Sequence, residues 1–216
     1  MSAGEVRHPL FARMYDRMSV AEEAKGAAEH RDELLADLSG RVIEVGAGNG
    51  LNFGHYPPSV TEVVAVEPEP YLRERAERAA LEAKVPVRVV SGTAERLPAD
   101  DSSFDAAVAS LVLCSVRDQP SALSEIYRVL KPGGELRFYE HVRSERPRFA
   151  RFQRRVDVVW PRFGGGCHTS RPTDRAIEQA GFDIERCRRF TFRPSAIDLP
   201  VSPHVIGVAR RPSSAT

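Results

Sequence analysis

Cysteine is scarce in this chain of 216 residues: only Cys114, Cys167 and Cys187 occur, odd in number and far apart. That pattern argues against a disulfide scaffold and fits a reduced, intracellular chain. Net charge is also nearly absent, at +1 with histidine neutral, so there is no bulk electrostatic match to nucleic acid or to an acidic partner. No apolar run approaches the roughly 18 residues of a membrane span. The opening Met1-Ser2-Ala3-Gly4-Glu5-Val6-Arg7-His8 lacks the apolar core of a signal peptide. There is no internal repeat, and the one low-complexity tract is the polar tail Pro212 to Thr216, which reads as disordered. What remains is 42% hydrophobic and 28% charged residues, the balance of a soluble globular protein. The length suits one domain with small additions, and the expected location is cytoplasmic.

The informative stretch is Arg41-Val42-Ile43-Glu44-Val45-Gly46-Ala47-Gly48-Asn49-Gly50. Val42, Ile43 and Val45 suit one buried strand, and the glycines let the backbone turn sharply and approach a ligand. Leu51-Asn52-Phe53 then opens a predicted helix whose free N–H groups face the same ligand. A dinucleotide turn wants G-x-G-x-x-G, but here the third glycine comes one residue early and Leu51 holds its position. Glu44 would repel a pyrophosphate yet suits an ammonium or a sulfonium. S-adenosylmethionine carries both charges and no phosphate. Glu67 closes the second strand, Val63-Val64-Ala65-Val66, about 20 residues beyond the glycines, where an acid accepts hydrogen bonds from ribose hydroxyls. A dinucleotide-dependent oxidoreductase and a non-catalytic cofactor-binding module are the competing readings.

Along the chain, residues 9 to 38 read as helical, with Leu10, Phe11, Met14 and Met18 in one stripe and Leu34, Leu35 and Leu38 in another. Such a segment can cover the ligand, with Tyr15 either lying across it or simply packing. Tyr56-Pro57-Pro58 ends the first core helix. A helix spans Pro70 to Ala83, with Pro70 in its first turn, and a strand spans Val85 to Val90. Its exit loop, Ser91-Gly92-Thr93-Ala94-Glu95, is a place for ligand contacts. Phe104 to Val112 is the fourth strand, apolar enough to be buried on both faces. A helix from Gln119 to Leu130 stops at Lys131-Pro132-Gly133-Gly134, and Glu135 to His141 is the fifth strand. Residues 142 to 170 interrupt the alternation with Arg143, Arg146, Arg148, Arg151, Arg154 and Arg155 among Phe149, Phe152, Val156, Val159 and Trp160. This segment reads as a substrate-covering helix with a solvated arginine face, the alternative being contact with an anionic lipid surface or substrate tail. Thr173 caps a helix to Ala180, and strands near Phe182 to Phe190 and His204 to Arg210 finish the sheet. Strand and helix alternation predicts a mostly parallel sheet with helices on both faces.

These residues resemble the class I S-adenosylmethionine-dependent methyltransferases. Glu44 to Gly50 looks like their first motif, Glu67 like their ribose-binding acid, and Leu130-Lys131-Pro132-Gly133-Gly134 like their "L-K-P-G-G" turn. Asn52-Phe53 with Tyr56-Pro57-Pro58, Leu111-Val112-Leu113-Cys114-Ser115-Val116, Glu140-His141-Val142, Gly166-Cys167 with Thr169, and Pro203-His204 are similar to the microsomal thiol methyltransferases of the methyltransferase-like group. Those relatives begin with a hydrophobic membrane anchor. This chain begins instead with a polar segment whose Tyr15-Asp16 looks more like ubiquinone/menaquinone-type methyltransferases, so membrane attachment is not carried over. The resemblance implies a Rossmann-like, seven-stranded sheet with its last strand antiparallel. It also implies cofactor contacts at Glu44, Gly46, Gly48, Asn52, Glu67, Pro68, Ala94, Glu95, Ser110 and Leu111. Tyr15, Ala47 and Thr93 join these by position in the cover, the glycine turn and the exit loop. The organisation expected is a helical cover over 1–38, a methyltransferase domain over 39–211 with 142–170 as insertion, and a tail over 212–216.

The expected activity is methyl transfer from S-adenosylmethionine, leaving S-adenosylhomocysteine, to a small-molecule thiol or hydrosulfide. The alternative acceptor is an oxygen, nitrogen or carbon atom of a quinone, lipid or secondary metabolite. A thiol with a pKa near 8.5 is partly thiolate at neutral pH and needs no strong base. His141, ending the fifth strand, is the first candidate for a helper base, against a structural role. His168, after the glycine run 164–166, and His204 are the other catalytic candidates. Cys114 reads as a small buried hydrophobe. Cys167-His168 with Cys187 lacks paired ligand spacing, so no metal is expected.

Overall fold

A computed structural model describes residues 8–193 and 197–213. The first helix, α1 (Pro9–Glu22), runs through a π-helical turn at Glu23–Ala27 into α2 (Ala28–Leu35). The segment expected to be helical is therefore bent, because Gly26 takes φ 106°, outside the helical range.

Among the described residues the sheet has seven strands: β1 (Gly40–Val45), β2 (Val60–Val66), β3 (Val87–Val90), β4 (Phe104–Ser110), β5 (Leu130–His141), β6 (Asp183–Thr191) and β7 (Pro203–Arg210). Their order is β3-β2-β1-β4-β5-β7-β6. Strands β1 to β5 pair in parallel, while β7 is antiparallel to both β5 and β6. The remaining helices are α3 (Pro70–Ala80), α4 (Gln119–Val129), α5 (Pro147–Val156) and α6 (Thr173–Gln179).

Alternate strand residues feed two cores. Ile43, Val45, Val64 and Val66 face Leu123 and Ile126 of α4 and Ile177 of α6. Val42, Val63, Ala65 and Val108 face Leu34 and Leu35 of α2 and Ala76 of α3. Each fully buried Val, Leu or Ile contributes about 1.5–3 kcal/mol relative to exposure, so both faces of the sheet must stay covered. The strand order reverses between β1 and β4, and the carboxyl ends of β1, β2, β4 and β5 share one edge there. Ligands bind at such an edge in open α/β sheets.

Several sequence expectations need correction. The helix after the glycines is only a 3-10 turn, Phe53–His55. The few residues between Gly50 and Pro57 do not offset helix nucleation, and Phe53 and Tyr56 bury their rings instead. Strand β4 stops at Ser110, because Leu111 takes φ 58° and turns the chain out of the sheet. Strand β3 begins at Val87, two residues later than expected. Thr173 is not a cap: Pro172 holds that position, and Thr173 is buried, its hydroxyl accepting from Gln119 Nε2 at 3.2 Å. Of the predicted tail, residues 214–216 lie outside the described residues, as do residues 1–7 of the predicted cover.

Candidate active site

The glycine turn leaves β1 under steric constraint. A Cβ on Gly46, where φ is 69°, would stand 2.4 Å from Val112 Cγ2. The Gly46 and Ala47 amides donate to Val66 O at 2.8 and 3.1 Å, tying the turn to the end of β2. Glu67 then fastens the turn from the side: its Oε2 accepts from Gly48 N at 2.8 Å and its Oε1 from Glu69 N at 2.9 Å. Each carboxylate oxygen keeps a further lone pair. Burial raises the Glu67 pKa, and the two amide bonds oppose that shift.

Glu44 sits differently from the sequence reading. It shares the face of Val42 and points under the turn, where its Oε1 accepts from Asn52 Nδ2 at 2.8 Å and its Oε2 from the Tyr56 hydroxyl at 2.7 Å. Arg31 Nη1 donates to Asn52 Oδ1 at 2.6 Å, and Arg31 Nε to Glu23 at 2.7 Å. The carboxylate, Asn52 and Arg31 thus form one buried chain from the turn to α2. Burial pushes the Glu44 carboxyl from 4.5 up to about 7.

Helix α1 closes over the turn. The Tyr15 ring lies against Gly48, where an added Cβ would meet ring carbon Cε1 at 3.4 Å. Burial pushes the Tyr15 hydroxyl up to about 12. One residue on, Asp16 accepts from Asn49 Nδ2 at 2.9 Å and from the Tyr71 hydroxyl at 3.1 Å, and pairs with Arg75 at 3.2 Å. This lock was not foreseen, although Tyr15-Asp16 had drawn notice. Asn49 is visible in the sequence only as a member of the glycine motif.

At the end of β4, Ser110 Oγ is buried without a hydrogen-bond partner among the described residues. The following loop is organised by Glu140, which is fully buried and accepts from Val112 N at 3.0 Å, Leu113 N at 2.8 Å and Cys114 N at 3.0 Å. Burial raises the Glu140 pKa well above its usual range, against the pull of those three amides. In the sequence Glu140 was visible only as part of a resembling motif. In the exit loop of β3, Ala94 is buried and Thr93 O accepts from Arg96 N at 3.2 Å. Glu95 instead turns to the Arg117 and Asp118 amides, at 3.0 and 3.3 Å. Pro68 O accepts from Arg73 at 3.3 Å.

The three histidines separate. His141 ends β5 with Cys114 Sγ and Cys167 Sγ each 3.5 Å from its Nδ1. Burial alone would lower its pKa; Cys114, Glu140 and Glu22 outweigh burial and raise it. His204 lies behind, its ring centroid 4.7 Å from that of His141. Its Nδ1 is 2.8 Å from Ser202 O, and burial lowers its pKa well below the usual value. His168 joins through its backbone, donating from N to Cys114 O at 2.8 Å.

The insertion is held by Gln153, buried on α5, whose Nε2 reaches Val142 O, Thr169 O and Pro200 O at 3.1, 2.8 and 2.9 Å. Phe152 and Val159, expected to cover substrate, are about half exposed, at 46% and 48%. Arg143, Arg151, Arg154, Arg175 and Arg189 line a surface cleft of about 630 Å³ with Asp174.

A glycine turn braced by an acid at the end of β2, beside an orphaned hydroxyl at the switch point, fits the cofactor class expected from the sequence. Residues 43–138 match the methyltransferase domain family. Thiol S-methyltransferase TMT1B of Rattus norvegicus is 35% identical over 209 residues, covering 93% of this chain and 82% of that protein. Thiol S-methyltransferase TMT1A of Homo sapiens is 34% identical over 197 residues, covering 84% and 78%. Among solved structures, a SAM-dependent methyltransferase from Thermotoga maritima superposes with a TM-score of 0.70 at 24% identity, over 93% of this chain and 96% of that one. The chain belongs to the class I S-adenosylmethionine-dependent methyltransferases, within the group that contains these thiol S-methyltransferases. It is an enzyme, and S-adenosylmethionine is its cofactor. Among the described residues no helix is long and apolar enough to cross a membrane.

Proposed function

We propose that this enzyme methylates the sulfur of a small thiol or of hydrosulfide. The observation that carries the reading is the similarity to thiol S-methyltransferases across about four-fifths of their length. The gathering of two buried cysteine sulfurs around the half-buried imidazole of His141 supports it. The cofactor supplies an electrophilic methyl on a sulfonium. Glu67 would hold its ribose hydroxyls on the lone pairs that Gly48 and Glu69 leave free, and Ser110 Oγ offers a further polar contact. Glu44 acts from beneath, setting Asn52 and the turn and adding negative charge toward a cationic ligand.

Helix α1 would exclude water, with Tyr15 as the wall. Anionic sulfur and cationic sulfonium lose charge as they react, so a dry site favours the dispersed transition state. In-line geometry then does most of the work, and the modest help a thiol needs centres on His141. His204 orients that ring by packing. The place of action in this reading is the cytoplasm, and the acceptor is a small molecule.

The test is a panel of thiols, phenols, amines and quinols incubated with S-adenosylmethionine, with products identified by mass. Methyl gain on sulfur is expected. Transfer to oxygen, nitrogen or carbon alone would reassign the acceptor.

A further inference from the structure

Three side chains 26 and 27 residues apart in sequence meet at one point. The sulfurs of Cys114 and Cys167 and the Nδ1 of His141 all lie within 4.8 Å of one another, each sulfur 3.5 Å from the nitrogen. An imidazole Nδ1 offers one lone pair or one N–H, so it cannot bond well to two thiols at once. A cation standing between the three atoms would use each donor once. The spacing agrees: metal–sulfur bonds of about 2.3 Å and metal–nitrogen bonds of about 2.0–2.1 Å at a tetrahedral centre put sulfur and nitrogen roughly 3.5 Å apart. Thiolate with imidazole is a donor set for zinc-class ions, not for magnesium or calcium.

The supports are rigid. Cys114 is pinned by its amide to Glu140 at 3.0 Å and by its carbonyl to His168 N at 2.8 Å. Cys167 N donates to Gly164 O at 3.0 Å. The loop sits so close to the Cys114 segment that a Cβ on Gly166 would stand 2.7 Å from Ser115 O. The corner also adjoins the glycine turn through its own loop: Val112, two residues before Cys114, would stand 2.4 Å from a Cβ on Gly46.

We propose that Cys114, His141 and Cys167 bind one zinc-class divalent cation, and that its fourth position receives the sulfur of the methyl acceptor. The proposal rests on the thiol reading above. Ion binding expels the two cysteine protons, so cation, two thiolates and neutral imidazole carry no net charge. An acceptor thiol taking the fourth position releases its S–H proton to solvent and remains a nucleophilic thiolate. Methyl transfer then forms one carbon–sulfur bond at the acceptor and breaks one at the sulfonium. The neutral thioether binds the ion weakly and leaves. His141 in this arrangement holds the ion, not the proton.

The full chain, reduced and stripped of metal, is titrated with Zn²⁺ and with Co²⁺. One equivalent should bind, giving a thiolate-to-cobalt charge-transfer band and the strong visible bands of a tetrahedral centre. Those visible bands should shift when a small thiol is added. Cys114→Ser, Cys167→Ser and His141→Ala should each weaken binding by about tenfold or more, while Cys187→Ser, at an exposed site, keeps it. Thermal melts and S-adenosylmethionine binding establish that each variant is folded. No stoichiometric binding, or undisturbed binding in a folded variant that carries all three substitutions, overturns the ion site. Undiminished thiol methylation by the stripped chain overturns the role in acceptor binding and leaves the thiol reading standing. Stoichiometric ion with no transfer to any thiol removes the thiol reading and leaves the ion site.

Discussion

Glu140 offers the sharpest test of how the site is built. Its Oε1 takes the amides of Val112 and Leu113, and its Oε2 takes that of Cys114. Those three bonds hold the loop that leaves β4 through the strained Leu111. In Glu140→Gln the retained oxygen keeps two amides, but the new NH₂ faces the Cys114 N–H, donor against donor. Loss of one hydrogen bond plus one unpaired buried N–H gives an expected destabilisation of about 2–4 kcal/mol. Glu140→Ala strands three N–H groups, each worth about 1–3 kcal/mol; water entering the space offsets part of this, so about 4–6 kcal/mol is expected. That is a large share of the stability of an ordinary domain. Urea titrations followed by circular dichroism measure both variants at fixed pH. Glutamine within about 0.5 kcal/mol of the parent, or alanine no worse than glutamine, would refute the reasoning, because the carboxylate would then not be carrying the loop.

Glu67→Ala is expected to weaken S-adenosylmethionine binding by about 1–3 kcal/mol through lost ribose hydrogen bonds, measured by calorimetry; unchanged affinity would remove the acid from the site. Gly46→Ala places a methyl against Val112 at a left-handed φ, so a loss of about 1–3 kcal/mol is expected. Adding Val112→Ala should recover the steric part only, as read from paired melts. Glu44 is raised from 4.5 to about 7, so its folded-state proton stabilises the protein below 4.5, and that contribution is lost as pH rises through 7. Glu44→Gln cannot titrate, and its stability relative to the parent should rise by about 3 kcal/mol between pH 4.5 and 8; a pH-independent difference would show that the group is an ordinary surface-like acid.

Local physics made the order of elements readable in the chain. Apolar runs of four to seven residues read as strands, Lys131-Pro132-Gly133-Gly134 marks where α4 gives way to β5, and the glycines after Val45 read as a tight turn. Those features follow from neighbours in sequence, so they were legible, together with the acids at 44 and 67 that flank the turn. Side-chain direction was not legible. The alternation along β1 sends Glu44 toward Arg31 and Asn52 beneath the turn, a fact set by which face α2 covers. The Glu140 clasp, the Asp16–Asn49 lock and the gathering of Cys114, His141 and Cys167 join residues tens of positions apart. No spacing rule encodes such contacts, because their distances depend on how β4, β5 and the insertion pack. The sequence by itself determined that a strand, a glycine turn and an acid would form one local unit, because neighbours along the chain set it; only tertiary packing decided which distant side chains brace that turn and which hold the scaffold around it.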